Sequence, residues 1–100
     1  MKTQLIPQFD RAKSFYGKAI ITTANDNTIL TSYTTDVCYI DKVGKIHKLW
    51  NGYSATTMRH INEFLRQNNI EGGGKKWWDN LPTEEYNPII DLIIEARKIA

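Results

Sequence analysis

The sequence predicts an α+β fold, an antiparallel β-meander of three to four strands followed by two helices packed on the sheet. β-branched and aromatic residues dominate the first half of the chain, and apolar residues recur at helical spacing in the second half. The length of 100 residues leaves room for a single domain, residues 1–100, with one core. An antiparallel sheet cannot bury its apolar face alone, and helices laid across it solve that problem.

Strand composition marks four runs in the first half of the chain. Their β-branched and aromatic side chains fit a pleated, half-buried surface, and turn-forming residues separate them. The runs are residues 14–23, 28–33, 37–41 and 45–50.

The last two runs are joined by a tight turn at Val43-Gly44, because Gly44 can adopt the positive φ that a hairpin needs. A two-residue loop there would place Cys38 opposite Leu49 and Ile40 opposite His47. Cys38 and His47 would then share one face of the sheet, diagonally related.

Two helices are expected after the strands. Ser54 is an N-cap for a helix over 55–67, and Met58, Ile61, Phe64 and Leu65 give it an apolar stripe.

The second predicted helix begins at Asn87-Pro88, a capping residue followed by proline at the first helical position. Apolar residues through 89–99 cover much of its circumference. We therefore expect this helix to pack into the sheet or to form a subunit contact, which leaves a homodimer open.

Composition excludes several classes of protein. One cysteine permits no internal disulfide and suits a reducing cytoplasm, and no apolar run approaches the ~20 residues that span a bilayer. We therefore expect no membrane partner. The net charge of +2 is low for a dedicated nucleic-acid binder.

No metal site or cofactor is predicted. Cys38, His47 and His60 contain no close-spaced ligand pair, and zinc sites usually have one. The run from Gly72 to Lys76 lacks the spacing of a P-loop, and its three glycines are expected to form a mobile loop.

Enzymatic activity is not predicted. A small hydrolase would have to use Cys38 as nucleophile and His47 as base, but Cys38 lies in the middle of a strand, where a thiol is usually an inert small hydrophobe.

Protein binding is the function that the sequence favours. Trp77 and Trp78 are flanked by Lys75 and Lys76, a composition typical of interface hot spots, and the preceding glycines would let the two indoles face outward. The alternative is that the pair closes over the protein's own core, with one indole buried and one half exposed. A second expected patch consists of Arg59, His60 and Arg66.

Single-stranded nucleic acid is the alternative partner, because cations and large aromatic side chains alternate in the middle of the chain. The contacts would come from Lys48, Trp50, Arg59, Arg66 and Lys76.

Two segments carry a family resemblance. Ser32-Tyr33-Thr34-Thr35-Asp36-Val37 and the stretch from Tyr53 to Phe64 match the patterns S-Y-x-T-x-V and Y-S-x-T-T-x-x-H-I-x-x-F. They resemble a group of small uncharacterised proteins of bacteriophages and mobile elements. The resemblance implies action in the cytoplasm of a bacterial host cell, on a host protein or ribonucleoprotein complex. Anti-CRISPR and other anti-defence inhibitors share this size and context, which makes inhibition of a host defence machine the expected role.

Overall fold

The computed structural model describes residues 2–10, 17–52 and 54–84, and it confirms the predicted α+β class. An antiparallel sheet of five strands, in chain order, is followed by two helices that pack on it. The elements are β1 (Lys2–Gln4), β2 (Ala19–Ala24), β3 (Asn27–Ser32), β4 (Thr35–Ile40), β5 (Ile46–Lys48), α1 (Ala55–Gln67) and α2 (Gly74–Asn80).

The sheet has one strand more than the upper number predicted. The additional strand, β1, is three polar, exposed residues, so it lacks the composition that marks a strand in sequence. Its pairing with β2, Thr3 opposite Ile21, defines it instead. The predicted first run began earlier than β2 does, and residues 14–16 lie outside the described part of the chain.

The turn between β2 and β3 follows directly from its residues. Asn25 and Asp26 have φ of 52° and 64°. Two central residues with positive φ make a turn whose twist matches that of the strands, and Asn and Asp tolerate this conformation better than other non-glycine residues.

The turn between β4 and β5 corrects the predicted register. Asp41 Oδ1 accepts hydrogen bonds from the backbone N–H groups of Val43 at 3.0 Å and Lys45 at 2.9 Å, and three residues, 42–44, form the loop. The two-residue loop was therefore wrong. Tyr39 pairs with His47, and Cys38 pairs with Lys48 instead of Leu49.

Helix α1 has the predicted bounds. Ser54 Oγ accepts a hydrogen bond from the Thr57 N–H at 3.1 Å and so caps the helix. The predicted apolar stripe is buried and packs against the sheet, where it meets Leu30, Cys38 and Ile40 in one hydrophobic core.

Helix α2 was not predicted. Gly74, expected in a mobile loop, is the first residue of this helix. The helix predicted to begin at Asn87-Pro88 lies outside the described residues. Neither α1 nor α2 has the length and apolar composition needed to cross a membrane.

Candidate partner-binding surface

A buried lysine determines where α2 lies. The side chain of Lys48 on β5 is 1% exposed, and its Nζ donates to the carbonyl oxygens of Trp78 at 2.7 Å and Leu81 at 3.2 Å. The last carbonyls of a helix have no partners within the helix and carry partial negative charge, so an ammonium group stabilises them. The same ammonium lies 5.1 Å from the centre of the Trp78 ring.

Gly72 and Gly73, just before α2, pack closely against Trp77, and we call this contact the glycine seat. A Cβ atom added to Gly73 would lie 2.5 Å from the Cβ of Trp77, and one added to Gly72 would lie 2.9 Å from Leu65 Cδ1. Gly74 has a φ of +70°, which side chains rarely adopt. Close packing therefore requires glycine at position 73 and backbone conformation requires it at position 74, whereas a Cβ at Gly72 would meet the flexible end of the Leu65 side chain.

The expectation that both indoles face outward is wrong. Trp78 is 0% exposed in the core and Trp77 is half-buried, with the two ring centres 6.3 Å apart. His60 is also 0% exposed, so it does not belong to the exposed patch predicted for it. The predicted cations are exposed: Arg59, Arg66, Lys75 and Lys76.

His60 instead belongs to a buried hydrogen-bond network between α1 and β3. Its Nδ1 lies 2.8 Å from Ser32 Oγ, which lies 3.0 Å from Thr57 Oγ1, and Ser54 Oγ donates to Thr57 Oγ1 at 3.1 Å. If Thr57 donates to Ser32 and Ser32 donates to His60 Nδ1, each hydroxyl group in this network donates one hydrogen bond. The Ser-Tyr segment and the Ser-x-x-Thr-x-x-His segment of the sequence thus meet in space, and they join the first turns of α1 to the sheet.

A loop near the N-terminus, residues 5–10, is tied to the second half of α1. Glu63 Oε1 accepts from the backbone N–H groups of Phe9 at 2.8 Å and Asp10 at 3.0 Å, while Gln67 Nε2 donates to Glu63 Oε2 at 2.6 Å and to the Ile6 carbonyl at 2.8 Å. Burial raises the pKa of Glu63, but hydrogen bonds from Gln67 and from the loop backbone outweigh it and lower the pKa below its usual value.

The anchored loop presents apolar side chains to solvent. Phe9 and Ile6 are each 55% exposed. The Arg66 guanidinium lies over the Phe9 ring, with its Cζ 5.0 Å from the ring centre. Arg59 forms an ion pair with Asp10 at 3.1 Å. Sequence reasoning missed Phe9, because nothing local indicates that a glutamate 54 residues further along the chain holds it in place.

A cleft of about 400 Å³ separates α1 from the segment that leads into α2. Leu65 and Ile70 provide its apolar lining and Asn62, Arg66 and Glu71 its polar lining, with backbone from Gly72 and Gly74. The cleft therefore places Arg66 beside the start of α2. We refer to Arg66, Lys75, Lys76, Trp77 and this cleft as the basic surface.

The structure separates Cys38 from His47. Adjacent residues of a strand point to opposite faces, so His47, which follows Ile46 and precedes the Lys48 that pairs with Cys38, lies on the other face of the sheet. Burial raises the pKa of the Cys38 thiol far above its usual value, which disfavours the nucleophilic thiolate. The Cys–His arrangement considered for a hydrolase is not assembled.

His47 is held between two carboxylates. Its Nε2 lies 2.7 Å from Asp41 Oδ2, its Nδ1 lies 2.7 Å from Glu84 Oε2, and its ring stacks on Tyr39 at 4.4 Å. Among the described residues, no group of three or more His, Cys, Asp or Glu side chains is arranged to hold a metal ion.

Two of the five residues expected to contact nucleic acid are placed differently from the prediction. Lys48 is wrong as a phosphate contact, because its ammonium group is buried on α2. Trp50 is half-buried, and a Cβ atom at Gly52 would lie 2.8 Å from its ring. The exposed members of that set are Arg59, Arg66 and Lys76.

Comparison with known proteins identifies a family. The model of a family of unknown function, DUF8033, matches residues 1–80. The chain belongs to this family. No curated protein and no solved structure matches it. The DUF8033 match covers every described element from β1 to α2, and therefore includes Lys48, the glycine seat and the basic surface.

Proposed function

We propose that the chain is a non-enzymatic binding protein that acts by occupying a surface of a partner protein through the basic surface. The observation that carries the proposal is the way α2 is held, with Lys48 buried on its last carbonyls and Trp77 seated on glycines. This arrangement keeps exposed Lys75 and Lys76 in a defined position on α2, whose first residue, Gly74, lines the same cleft as Arg66.

The free-energy cost of holding α2 in place supports a role for this helix beyond filling the core. A helix of seven residues is too short to be stable by itself. Burial of the Lys48 ammonium costs free energy, and Trp78 Nε1 is buried with no hydrogen-bond partner among the described residues. The same arrangement fixes the helix that carries the exposed Lys75 and Lys76.

A charge-reversal experiment tests the proposal. The doubly substituted Lys75→Glu/Lys76→Glu protein is compared with Lys42→Glu/Lys45→Glu, which makes the same change in charge on exposed residues of the β4–β5 turn. Proteins captured from a bacterial lysate should disappear with the α2 variant and remain with the turn variant. Equal loss, or no loss, from both variants would contradict the proposal.

More specifically, we propose that the chain inhibits a defence machine in the cytoplasm of a bacterial host, as anti-CRISPR proteins do. It is supported by the resemblance of the Ser-x-Thr-Thr-x-x-His-Ile segment to phage proteins. Expression of the chain in a bacterium with active CRISPR immunity should restore phage plating, and Lys75→Glu/Lys76→Glu should abolish that restoration. Unchanged plating with the unsubstituted chain would exclude inhibition of that immune system.

Direct binding of single-stranded nucleic acid is the second candidate, and the exposure of Arg59, Arg66 and Lys76 favours it. It requires binding of an oligonucleotide that weakens steeply as salt concentration rises. We expect a flat titration at low salt, because Lys48 is buried and the net charge is only +2.

A further inference from the structure

We propose that the basic surface recognises an acidic segment of a partner protein in which an apolar side chain lies next to a carboxylate. The carboxylate binds Arg66, and the apolar side chain packs against Ile70 in the cleft. This inference rests on the proposed function and names the chemistry of the partner at the same surface.

Arg66 is prepared to receive a carboxylate. Its guanidinium lies over the Phe9 ring, yet the structure gives it no hydrogen bond or ion pair with any other described residue. A guanidinium has five N–H donors in a planar fork that matches the two oxygens of a carboxylate. Stacking on an aromatic ring restricts the orientation of that plane while its N–H edges remain available.

The backbone of Phe9 beneath Arg66 is held within the protein. Glu63 accepts a hydrogen bond from the backbone N–H of Phe9, and the ion pair between Arg59 and Asp10 holds the next residue. A loop whose backbone is already held loses less conformational entropy on binding. The exposed face formed by Phe9 and Ile6 therefore adds apolar contact area next to the charged site.

The residues that line the cleft limit which chemical groups can bind there together with the carboxylate. Its apolar wall is Ile70, which is half-buried, since Leu65 is only 1% exposed; Ile70 favours an apolar group, whereas a phosphodiester backbone would gain nothing there. Glu71 lines the same cleft, so a second carboxylate inside it would be repelled. This combination favours a protein segment over nucleic acid.

The test uses two blocked hexapeptides that differ in one group. One contains Leu-Glu-Leu between Gly and Ser residues, and the other contains Leu-Gln-Leu in the same frame. Two-dimensional NMR of the isotopically labelled full chain should show shifts at Arg66, Ile70 and Gly72 with the first peptide. Binding of the second should be about tenfold weaker, because a hydrogen bond to a charged group contributes more than a neutral one.

Substitutions at Arg66 test whether the difference in affinity between the two peptides depends on its guanidinium. Arg66→Gln should remove the difference between the two peptides, and Arg66→Lys should reduce it because an ammonium cannot stack or bind in a bidentate manner. Lys45→Gln, which removes an exposed cation in the β4–β5 turn, should leave both affinities unchanged.

Equal binding of the two peptides, absence of binding at millimolar concentrations, or shifts confined to another surface would overturn the inference. Shifts at the same residues that grow with protein concentration alone would identify a second copy as the occupant and also overturn it. If the peptides fail while Lys75→Glu/Lys76→Glu still abolishes partner capture, the proposed function stands and only this inference is wrong.

Discussion

At the scale of single residues, the most informative side chains are polar and buried. Ser32, Thr57 and His60 are each at most 2% exposed, and they bond to one another across the interface between β3 and α1. The sequence indicated hydroxyls for capping and placed His60 in an exposed patch. Helical spacing shows that His60 shares a face with Phe64, but it does not show that Ser32 lies opposite that face.

Ser32→Ala should destabilise the protein, because it removes the hydroxyl group that hydrogen-bonds to the buried Nδ1 of His60. We expect a loss of about 1–3 kcal/mol in the free energy of unfolding, measured by urea denaturation. Thr34→Ala, at an exposed position in the β3–β4 turn, should change it by less than about 0.5 kcal/mol. Equal effects of the two substitutions would show that the network contributes little.

Gly73→Ala should also destabilise the protein, because the added Cβ would lie 2.5 Å from Trp77 Cβ. Overpacking of this kind typically costs about 1–3 kcal/mol, and tryptophan fluorescence should report the displaced indole. Gly44→Ala is the contrasting variant, since its Cβ meets nothing within 4 Å but its φ is +87°. It should lose stability through backbone strain and leave the fluorescence of the folded protein unchanged. Unaltered fluorescence in Gly73→Ala would contradict the seat.

At the scale of elements, α1 was predictable and α2 was not. Ser54 and the spacing of Met58, Ile61, Phe64 and Leu65 are local signals, and the observed helix follows them residue for residue. Three glycines followed by two lysines are typical of a loop. The helix forms there because Trp78 fills the core and Lys48 binds its end, and both contacts come from elsewhere in the fold.

Lys48→Met tests that account of α2. Methionine keeps the apolar stem but removes the donor to the Leu81 carbonyl, and it leaves the Trp78 carbonyl with only the Leu81 N–H at 3.2 Å. The free energy of unfolding should fall by about 1–3 kcal/mol in urea titrations followed by tryptophan fluorescence. Lys42→Met, in the exposed turn after β4, should have little effect. If Lys48→Met is as stable as the unsubstituted protein, the core alone holds α2.

A single side chain determines the loop length and the strand register of the β4–β5 hairpin. Asp41 binds the backbone of Val43 and Lys45 and so stabilises a loop one residue longer than predicted. Because side chains alternate between faces, that one residue moves His47 away from Cys38 and moves Lys48 into the core.

At the scale of the whole molecule, acid should destabilise the fold. The pKa of Asp41 is lowered by hydrogen bonds from His47 and the Lys45 backbone, and that of Glu63 is lowered on balance by the hydrogen bonds it accepts. A carboxyl whose pKa is lower when folded stabilises the protein above its ordinary pKa. That contribution disappears as pH falls through the folded-state value.

The free energy of unfolding should therefore fall between about pH 5 and pH 2. Glu63→Gln should be less stable at neutral pH and should show a shallower fall, because its contribution is already absent. Glu71→Gln, at an exposed position, should keep the slope of the unsubstituted protein. A Glu63→Gln slope equal to that of the unsubstituted protein would contradict a role for this carboxylate in acid stability.

The amino-acid sequence by itself determined the α+β class, the β2–β3 turn and α1, because propensity, capping and periodicity act over a few neighbouring residues. Tertiary structure alone decided that Lys48 and Trp78 are buried, that His60 binds Ser32 and that Phe9 lies under Arg66. These contacts join residues about 30 or more positions apart, such as the 30 between Lys48 and Trp78 and the 54 between Phe9 and Glu63. Local patterns do not encode such pairs, since burial of a side chain depends on what the rest of the chain brings against it.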